Sequence, residues 1–527
     1  MRDFSIPTRS AAIAEHGMAA TSSPLATLAA IDMLRKGGNA IDAAITAVAV
    51  QSIVEPHMSG IGGDCFVMYS PMAGTPLAFN GSGRAPAGAE CEWYWDRNFR
   101  EIPEQSPHAV TVPGAIDAWC RLLADHGTKD LCEVLTPAIR LAEDGFRVTP
   151  RVAHDWTRNV AKLSIDADTA RQYRPDGHAP RPGDRFRHPE LAATLRRISR
   201  EGRAAFYEGD VAAEIVAKLR LLGGLHRLED FAAHAGNYVE PISALYRGFE
   251  ICECPPNGQG LAVLIMLRAL SGYDLSCPRY DEADRIHLLA EVTKAAYSLR
   301  DSYFCDPEHH PVKVTDFLSE EQGERIRQSI RLGVALPATA RSKTEHTDTV
   351  YLAVVDRDRN AVSIINSLFS SFGSGLYVGK SGVLLHNRGH SFRVCPGHPN
   401  AIAPRKRPVH TIIPAMMLKE GRAVMPFGVT GGDYQAAGQA HFLSQILDRG
   451  LDLQEAAEVP RFFAYGGVLQ LEKTIPDGVD KELARRGHKV QRRAEPLGGC
   501  QAVWIDHSGG FLMGASEPRK DGIALGY

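Results

Sequence analysis

The amino-acid sequence predicts an α+β fold from three observations. Helical periodicity dominates much of the chain before Leu336. Strand-like apolar runs then appear between residues 349 and 429. Two more helical patterns follow, at residues 434–448 and 453–458. The sequence shows neither an internal repeat nor a low-complexity tract, so it favours a globular fold over a solenoid or a disordered chain.

The helical part begins near the N-terminus. Residues 11–55 are predicted to be helical, with alanine-rich apolar periodicity in residues 25–34 and 41–54. A glycine pair ends the first of these stretches, and Asn39 is a suitable start for the second. Residues 65–79 then turn strand-like. Further helices are predicted at residues 189–199, 211–222 and 286–300, and later strands at residues 349–355, 361–365, 382–386 and 423–429.

The composition narrows the class of protein. The chain has 527 residues, 44% hydrophobic and 23% charged, which is enough for a large buried core. A net charge of −3 predicts no nucleic-acid partner and no binding to an anionic membrane. No apolar run reaches the roughly 18 residues of a membrane helix, and the first 20 residues lack the apolar core of a secretory signal. With ten scattered cysteines that predict free thiols, we expect a cytoplasmic protein.

One segment carries recognisable chemistry. Thr349 opens a strand-like run directly after residues 337–348, a polar stretch typical of an exposed segment that can be cut. If the bond between Asp348 and Thr349 is cut, the threonine gains a free α-amino group beside its own hydroxyl. The pKa of such an amine is about 7.7–8, so a useful fraction is neutral near pH 7 and can take the hydroxyl proton. Alone the pattern is weak, because a β-branched residue at the start of a strand is ordinary.

Nine short segments strengthen this interpretation. They are residues 37–44 (GGNAIDAA), 55–64 (EPHMSGIGGD), 111–114 (TVPG), 135–138 (LTPA), 255–260 (PPNGQG), 354–356 (VVD), 360–363 (NAVS), 372–375 (FGSG) and 431–432 (GG). In this order they resemble the γ-glutamyltransferase family of N-terminal nucleophile hydrolases, over nearly the whole chain. Any one segment is weak evidence, whereas nine in the family order are strong evidence.

The resemblance implies a fold and a mechanism. It implies a four-layer αββα sandwich formed jointly by a large subunit, residues 1–348, and a small subunit, residues 349–527. In the family the threonine attacks its own preceding carbonyl, so Thr349 becomes nucleophile and, through its amine, general base. Gly431 and Gly432 match the family's paired oxyanion glycines. The resemblance further implies no cofactor or metal, a small-molecule amide substrate and a heterodimer of the cleaved subunits, and it leaves any higher oligomer open.

Several pocket residues depart from the γ-glutamyl pattern. The family's substrate-binding arginine is replaced by Ser82, with an arginine displaced to Arg84. An asparagine expected in the pocket is Phe369. The carboxylate that holds the substrate ammonium is replaced by Ser391, and the glutamine before it by Arg388. The predicted pocket therefore loses an anion and gains a cation.

These departures predict a different substrate. The family's serine pair becomes His410 and Thr411, which we expect to contact substrate together with Arg84, Arg388 and Ser391. A zwitterionic glutamyl group should fit worse, because its ammonium would be buried without a partner. Small anionic amides without an amino group should fit better, and oxamate is handled by one branch of the family. A further hydroxyl, that of Ser367, is expected beside the nucleophile.

Three alternatives remain at this point. The first is a true γ-glutamyltransferase or glutathione hydrolase, and the second is an uncleaved binding protein without activity. The third is a metallohydrolase, although its candidate ligands lack the helix-spaced pattern of a zinc protease. Those candidates are His309, His310, His386, His390, Asp301, Asp306 and Glu308.

Overall fold

The computed structural model describes residues 8–337 and 349–527. Its strands are β1 (Ala12–Ala14), β2 (Met18–Thr21), β3 (Asp64–Ser70), β4 (Leu77–Gly81), β5 (Phe146–Arg147), β6 (Arg185–Phe186), β7 (Asn237–Val239), β8 (Ile242–Tyr246), β9 (Phe249–Glu253), β10 (Val350–Val355), β11 (Ala361–Ser367), β12 (Leu376–Val378), β13 (Val383–Leu385), β14 (Ala415–Lys419), β15 (Arg422–Thr430), β16 (Phe462–Tyr465), β17 (Val468–Leu471), β18 (Val490–Arg492), β19 (Gly499–Asp506), β20 (Phe511–Ala515) and β21 (Ile523–Gly526).

The α-helices are distributed among the strands along the sequence. They are α1 (Pro24–Arg35), α2 (Ala40–Val54), α3 (Cys91–Asp96), α4 (Ala115–His126), α5 (Leu131–Asp144), α6 (Pro150–Arg158), α7 (Ala167–Tyr173), α8 (Pro189–Glu201), α9 (Ala204–Tyr207), α10 (Asp210–Leu221), α11 (Leu228–Ala232), α12 (Gly260–Leu270), α13 (Glu282–Tyr303), α14 (Val314–Phe317), α15 (Glu320–Ser329), α16 (Tyr434–Leu447), α17 (Leu453–Glu458) and α18 (Val479–Arg485). Among the described residues, no helix combines the length and the apolar character needed to cross a bilayer.

Two seven-stranded sheets form the centre of the molecule. The first has the order β1-β20-β19-β15-β14-β9-β8, and the second the order β21-β2-β10-β11-β3-β4-β7. One apolar cluster lies between the sheets and includes Phe66, Tyr351 and Met416. A second cluster packs α12, α13 and α16 on the first sheet, and a third packs α1, α2 and α5 on the second. The layers are therefore helix, sheet, sheet, helix, as the four-layer prediction requires.

The predicted helix over residues 11–55 is wrong in its first third. Residues in this part form β1 and β2, and helix begins only with α1. The reason is tertiary pairing: Ala12 aligns with Gly514, and Met18 with Gly526, about 500 residues away in the chain. The start of the second helix is confirmed, since Asn39 caps α2 with its side chain.

Both sheets contain strands from before residue 338 and strands from after residue 348. In the second sheet β10 pairs with β2, and β11 pairs with β3. In the first sheet β14 pairs with β9. The parts before residue 338 and after residue 348 thus share main-chain hydrogen bonds and the core between the sheets.

Candidate active site

Thr349 lies at the start of a central strand. It directly precedes β10, which runs between β2 and β11 in the second sheet. The residue is 2% exposed, and its Oγ1 lies 3.1 Å from the Oγ of Ser367. Asp348, on the other side of the predicted cleavage site, lies outside the described residues.

Ser367 connects this hydroxyl to the rest of the site. It ends β11, and its Oγ accepts hydrogen bonds from the N–H of Phe369 (2.9 Å) and from Nη2 of Arg388 (3.4 Å). Ser367 is fully buried. The structure thus brings the predicted hydroxyl and the predicted cation together beside Thr349.

Arg388 is a cation enclosed by protein. Its Nη1 donates to Oγ1 of Thr411 at 2.9 Å, and its guanidinium carbon lies 4.1 Å from the centroid of the Phe369 ring. No carboxylate among the described residues lies within 4.0 Å of it. Burial lowers the pKa of Arg388 to about 9, opposed by Asp64 and Asp433. The side chain therefore stays charged at neutral pH, and it has no direct counter-ion in the described part of the chain.

The glycine pair joins β15 to α16. Gly431 and Gly432 have φ angles of +116° and +57°, which disfavour a side chain at both positions. Their carbonyls accept from the N–H groups of Tyr434 and Gln435 in the first turn of α16. Their own N–H groups donate to no acceptor in the described part of the chain. Two unused donors next to a helix N-terminus are well suited to bind an oxyanion.

The strand that carries Thr349 packs face to face with the strand that ends at the glycine pair. The ring of Tyr351 in β10 lies on Gly428 of β15, where a larger side chain would collide with it. Tyr351 Oη is 3.0 Å from Ser363 Oγ, which donates to the carbonyl of Phe427 at 3.3 Å. The two strands are thereby fixed against each other across the sheets.

Gln259 connects Thr411 to the glycine pair by hydrogen bonds. Its Nε2 donates to the carbonyls of Thr411 (2.8 Å) and Gly432 (3.0 Å), and its Oε1 accepts from Arg300 (2.7 Å). The sequence pattern indicated no role for this residue, although it lies in the PPNGQG segment at residues 255–260. One continuous path of hydrogen bonds now runs from Thr349 through Ser367, Arg388, Thr411 and Gln259 to Gly432.

A cleft of about 230 Å³ opens above this path. Ser391 and Thr411 lie on its surface, and Phe369 separates the cleft from Arg388. Its other lining residues include Arg100, Glu101, Arg300, Asp301, Phe304, Phe392, Arg393, Val409, Asp433 and Tyr465. Thr349 is connected to this surface through Ser367, which accepts from the Phe369 N–H.

Two predicted substrate contacts lie elsewhere. Arg84 forms ion pairs with Glu308 (2.8 Å) and Asp306 (3.6 Å) and is not among the residues that line the cleft. His410 is fully buried, with Nε2 at 3.0 Å from a carboxylate oxygen of Asp64. Burial lowers the pKa of His410 to about 3, so this histidine is neutral and occupied within the core. We therefore leave both residues out of the site.

The EPHMSGIGGD segment supports the loop that follows Ser367. The carbonyls of His57 and Met58 accept from the N–H groups of Phe372 (2.8 Å) and Leu368 (3.0 Å). In the sequence this segment serves only as a family marker. Its role becomes visible only in the fold, because the hydrogen bonds join residues some 310 positions apart.

The described residues contain one cluster with metal-ligand geometry, and it includes none of the candidate ligands of a metallohydrolase. It consists of His287, Glu291 and His488. His287 Nδ1 and His488 Nε2 are 2.8 Å apart, a hydrogen-bond distance, and the ammonium of Lys294 lies 2.7 Å from Glu291 Oε1. The two histidines are hydrogen-bonded to each other, and the glutamate is paired with Lys294. The positive charge of this lysine also disfavours binding of a metal cation.

Comparison with known proteins places this geometry in a family. Residues 26–527 match the family described as Gamma-glutamyltranspeptidase. The chain is 36% identical to a glutathione hydrolase-like YwrD proenzyme of Bacillus subtilis, over 95% of this chain and 97% of that protein. It is 35% identical to an oxamate amidohydrolase proenzyme of Klebsiella pneumoniae, over 98% and 99% of the two chains.

A solved structure agrees with the sequence relatives. The cephalosporin acylase from Bacillus halodurans superimposes with a TM-score of 0.93 at 37% identity, covering 100% of this chain and 99% of that one. The family match, the nearly complete coverage of the sequence relatives and the shared fold all indicate the same family. This chain is a hydrolase of the γ-glutamyltranspeptidase family of N-terminal nucleophile hydrolases.

Proposed function

We propose that this enzyme cleaves its own chain before Thr349 and then hydrolyses an amide through an acyl-threonine intermediate. The observation that carries the proposal is the buried Thr349 hydroxyl, which a path of hydrogen bonds connects to the carbonyl of Gly432, in the same turn as the N–H groups of the glycine pair. In the uncut chain the nitrogen of Thr349 is an amide and has no basicity. The uncut protein is therefore inactive.

Maturation follows from the same hydroxyl. Thr349 Oγ attacks the carbonyl of residue 348, the peptide C–N bond breaks, and an ester joins that carbonyl to Oγ. Water then hydrolyses the ester, which gives a carboxylate at residue 348 and a free α-amine on Thr349. The products are residues 1–348 and 349–527, which stay together because β10 pairs with β2, and β14 with β9.

Catalysis then uses two functions of one residue. The α-amine of Thr349 takes the hydroxyl proton while Oγ attacks the substrate carbonyl. The N–H groups of Gly431 and Gly432 bind the oxyanion of the tetrahedral intermediate. The leaving amine takes the proton from the α-ammonium, and water then attacks the acyl ester to release the acid and regenerate Thr349.

Intact mass spectrometry of the purified protein tests this proposal. We expect two chains, the smaller beginning at Thr349, in a protein that hydrolyses amides. A single chain of 527 residues with full activity would refute the maturation mechanism.

The charges of the cleft support an anionic substrate without an ammonium group. Asp301 and Asp433 both form ion pairs with Arg300, at 2.8 and 2.7 Å, so neither is free to bind an ammonium. Beneath the cleft, Arg388 has no direct counter-ion among residues 8–337 and 349–527, and its charge favours an anion on the other side of the Phe369 ring. Thr411 and Ser391 offer hydroxyl donors at the surface. We infer that the substrates are monoamides of short dicarboxylic acids.

The relatives and the cleft volume fit this class. One relative is named an oxamate amidohydrolase and a structural neighbour a cephalosporin acylase. A volume of about 230 Å³ with Phe304, Phe392 and Val409 on its walls exceeds the needs of oxamate and accommodates a longer acyl chain. A true γ-glutamyl substrate is the alternative.

A matched pair of substrates separates these alternatives. Glutaryl-p-nitroanilide and γ-glutamyl-p-nitroanilide differ only by an α-amino group on the acyl chain. We expect kcat/KM for the glutaryl compound to be higher by about tenfold or more, because the ammonium would be buried without a partner. Faster turnover of the γ-glutamyl compound would show that the enzyme is a conventional γ-glutamyl hydrolase. Oxamate, assayed by ammonia release, extends the series to the shortest acyl group.

A further inference from the structure

Arg388 is placed unlike a substrate-binding arginine. It is fully buried, it does not line the cleft, and the Phe369 ring lies between the guanidinium and the cleft. Its hydrogen bonds go to two hydroxyls, those of Ser367 and Thr411, and its Nε has no partner among the described residues. The guanidinium is therefore connected to the proposed nucleophile, Thr349, through the hydroxyl of Ser367.

The hydrogen bonds of Ser367 fix the direction of one proton. A serine oxygen has two lone pairs, and here they accept from the Phe369 N–H and from Arg388. The remaining neighbour of the Ser367 hydroxyl among the described residues is Oγ1 of Thr349, at 3.1 Å. Ser367 therefore donates to Thr349, and the threonine's own proton is not used in this hydrogen bond.

Within residues 8–337 and 349–527, no carboxylate pairs directly with Arg388. Of the two carboxylates that act on it from a distance, Asp64 accepts from His410 (3.0 Å) and from the N–H groups of Gly83 and Gly114 (3.1 Å each). Asp433 is ion-paired with Arg300.

The histidines around Arg388 add no charge of their own. His386 accepts from the Arg388 N–H through Nδ1, and burial lowers its pKa to about 3. His410 is neutral for the same reason. As far as the described residues go, the guanidinium is thus a charge without a direct counter-ion that faces the hydroxyls of Ser367 and Thr411.

We propose that Arg388 is a positioning residue for the nucleophile rather than a contact for the substrate. Through Ser367 it sets the direction of the proton donated to Thr349, and its charge keeps the α-amine of cleaved Thr349 in the neutral, basic form. A nearby positive charge disfavours a second one, so the ammonium form is the form that loses stability. This inference rests on the proposed cleavage before Thr349 and adds a residue that tunes the base.

The test is the pH dependence of the matured enzyme. Arg388→Gln removes the charge but keeps amide N–H donors for Ser367 and Thr411. We expect the acid limb of its kcat/KM profile to move up by roughly 1 pH unit, because the α-amine regains an ordinary affinity for protons. Arg388→Lys, which keeps the charge, should leave the limb near its wild-type position.

A second variant guards against poor folding of the first. Thr411→Asp places a carboxylate beside Nη1 of Arg388, and we expect the same upward shift. The pH dependence of acetylation of the Thr349 α-amine, followed by mass spectrometry, measures the same pKa without catalysis. If either matured variant shows the wild-type acid limb and the wild-type amine pKa, this inference fails. If no free amine forms at Thr349 in an active wild-type enzyme, the proposed function fails instead.

Discussion

Replacing Thr349 with alanine is expected to give one uncut chain whose amide hydrolase activity is lower by about 10⁴-fold or more. In the proposed mechanism, the substitution removes the atom that attacks the chain and, later, the substrate. It also leaves the nitrogen of residue 349 as an amide, so the base is lost with the nucleophile. Intact mass spectrometry and a single-substrate assay on the same sample measure both effects.

The variant should still fold. Thr349 contributes one described side-chain hydrogen bond, to Ser367, whose loss costs about 1 kcal/mol. Thr349→Ser is the matched control, because it retains a hydroxyl and, once cut, an α-amine. We expect the serine variant to yield two chains and measurable activity. A cleaved or active alanine variant would rule out Thr349 as the nucleophile.

The periodic elements of this fold could be predicted from sequence, and the two short N-terminal strands could not. The patterns at residues 286–300 and 423–429 predict a helix and a strand, and the structure has α13 and β15 there. The strands β1 and β2 look helical locally because they are short and alanine-rich. They are strands because they pair with distant strands, β1 with β20, and β2 with β10 and β21.

Some residues of the site could likewise be predicted from sequence, and others could not. Segment matching named Thr349 and the glycine pair, and the fold joins them by hydrogen bonds. Matching of sequence segments could not predict that the side chain of His410 points towards Asp64, because the direction of a side chain depends on what surrounds it. Gln259 was missed for the complementary reason: its two carbonyl partners, in Thr411 and Gly432, lie more than 150 residues away.

A shared core explains why cleavage need not separate the products. In the second sheet, β10 and β11 are flanked by strands from before residue 338 on both sides, namely β2 and β3. The cluster between the sheets contains Phe66 and Met68 from one part, and Tyr351 and Met416 from the other. Separating the parts would expose this apolar surface and break the hydrogen bonds between strands, so the two parts should stay together after the proposed cleavage before Thr349.

Replacing Gly431 with alanine is expected to lower kcat by about 10²–10³-fold. At φ +116° a side chain is strained, and a Cβ would lie 3.0 Å from the Cα of Gly498. The turn must therefore shift, and it carries the N–H groups of Gly431 and Gly432 away from the oxyanion position. Because these donors act mainly on the tetrahedral intermediate, kcat should fall more than KM rises.

A glycine just after the same helix provides a control variant that separates the effect of backbone strain from the loss of oxyanion binding. Gly450 follows α16 and has φ +66°, and no atom lies within 4 Å of the position that an alanine methyl group would occupy there. Gly450→Ala should cost about 1 kcal/mol of stability and leave kcat unchanged. If Gly431→Ala loses no more activity than Gly450→Ala at equal stability, the oxyanion role of the glycine pair is wrong. If it alone loses kcat, the N–H groups at the start of α16 act in the reaction, as the proposed oxyanion role requires.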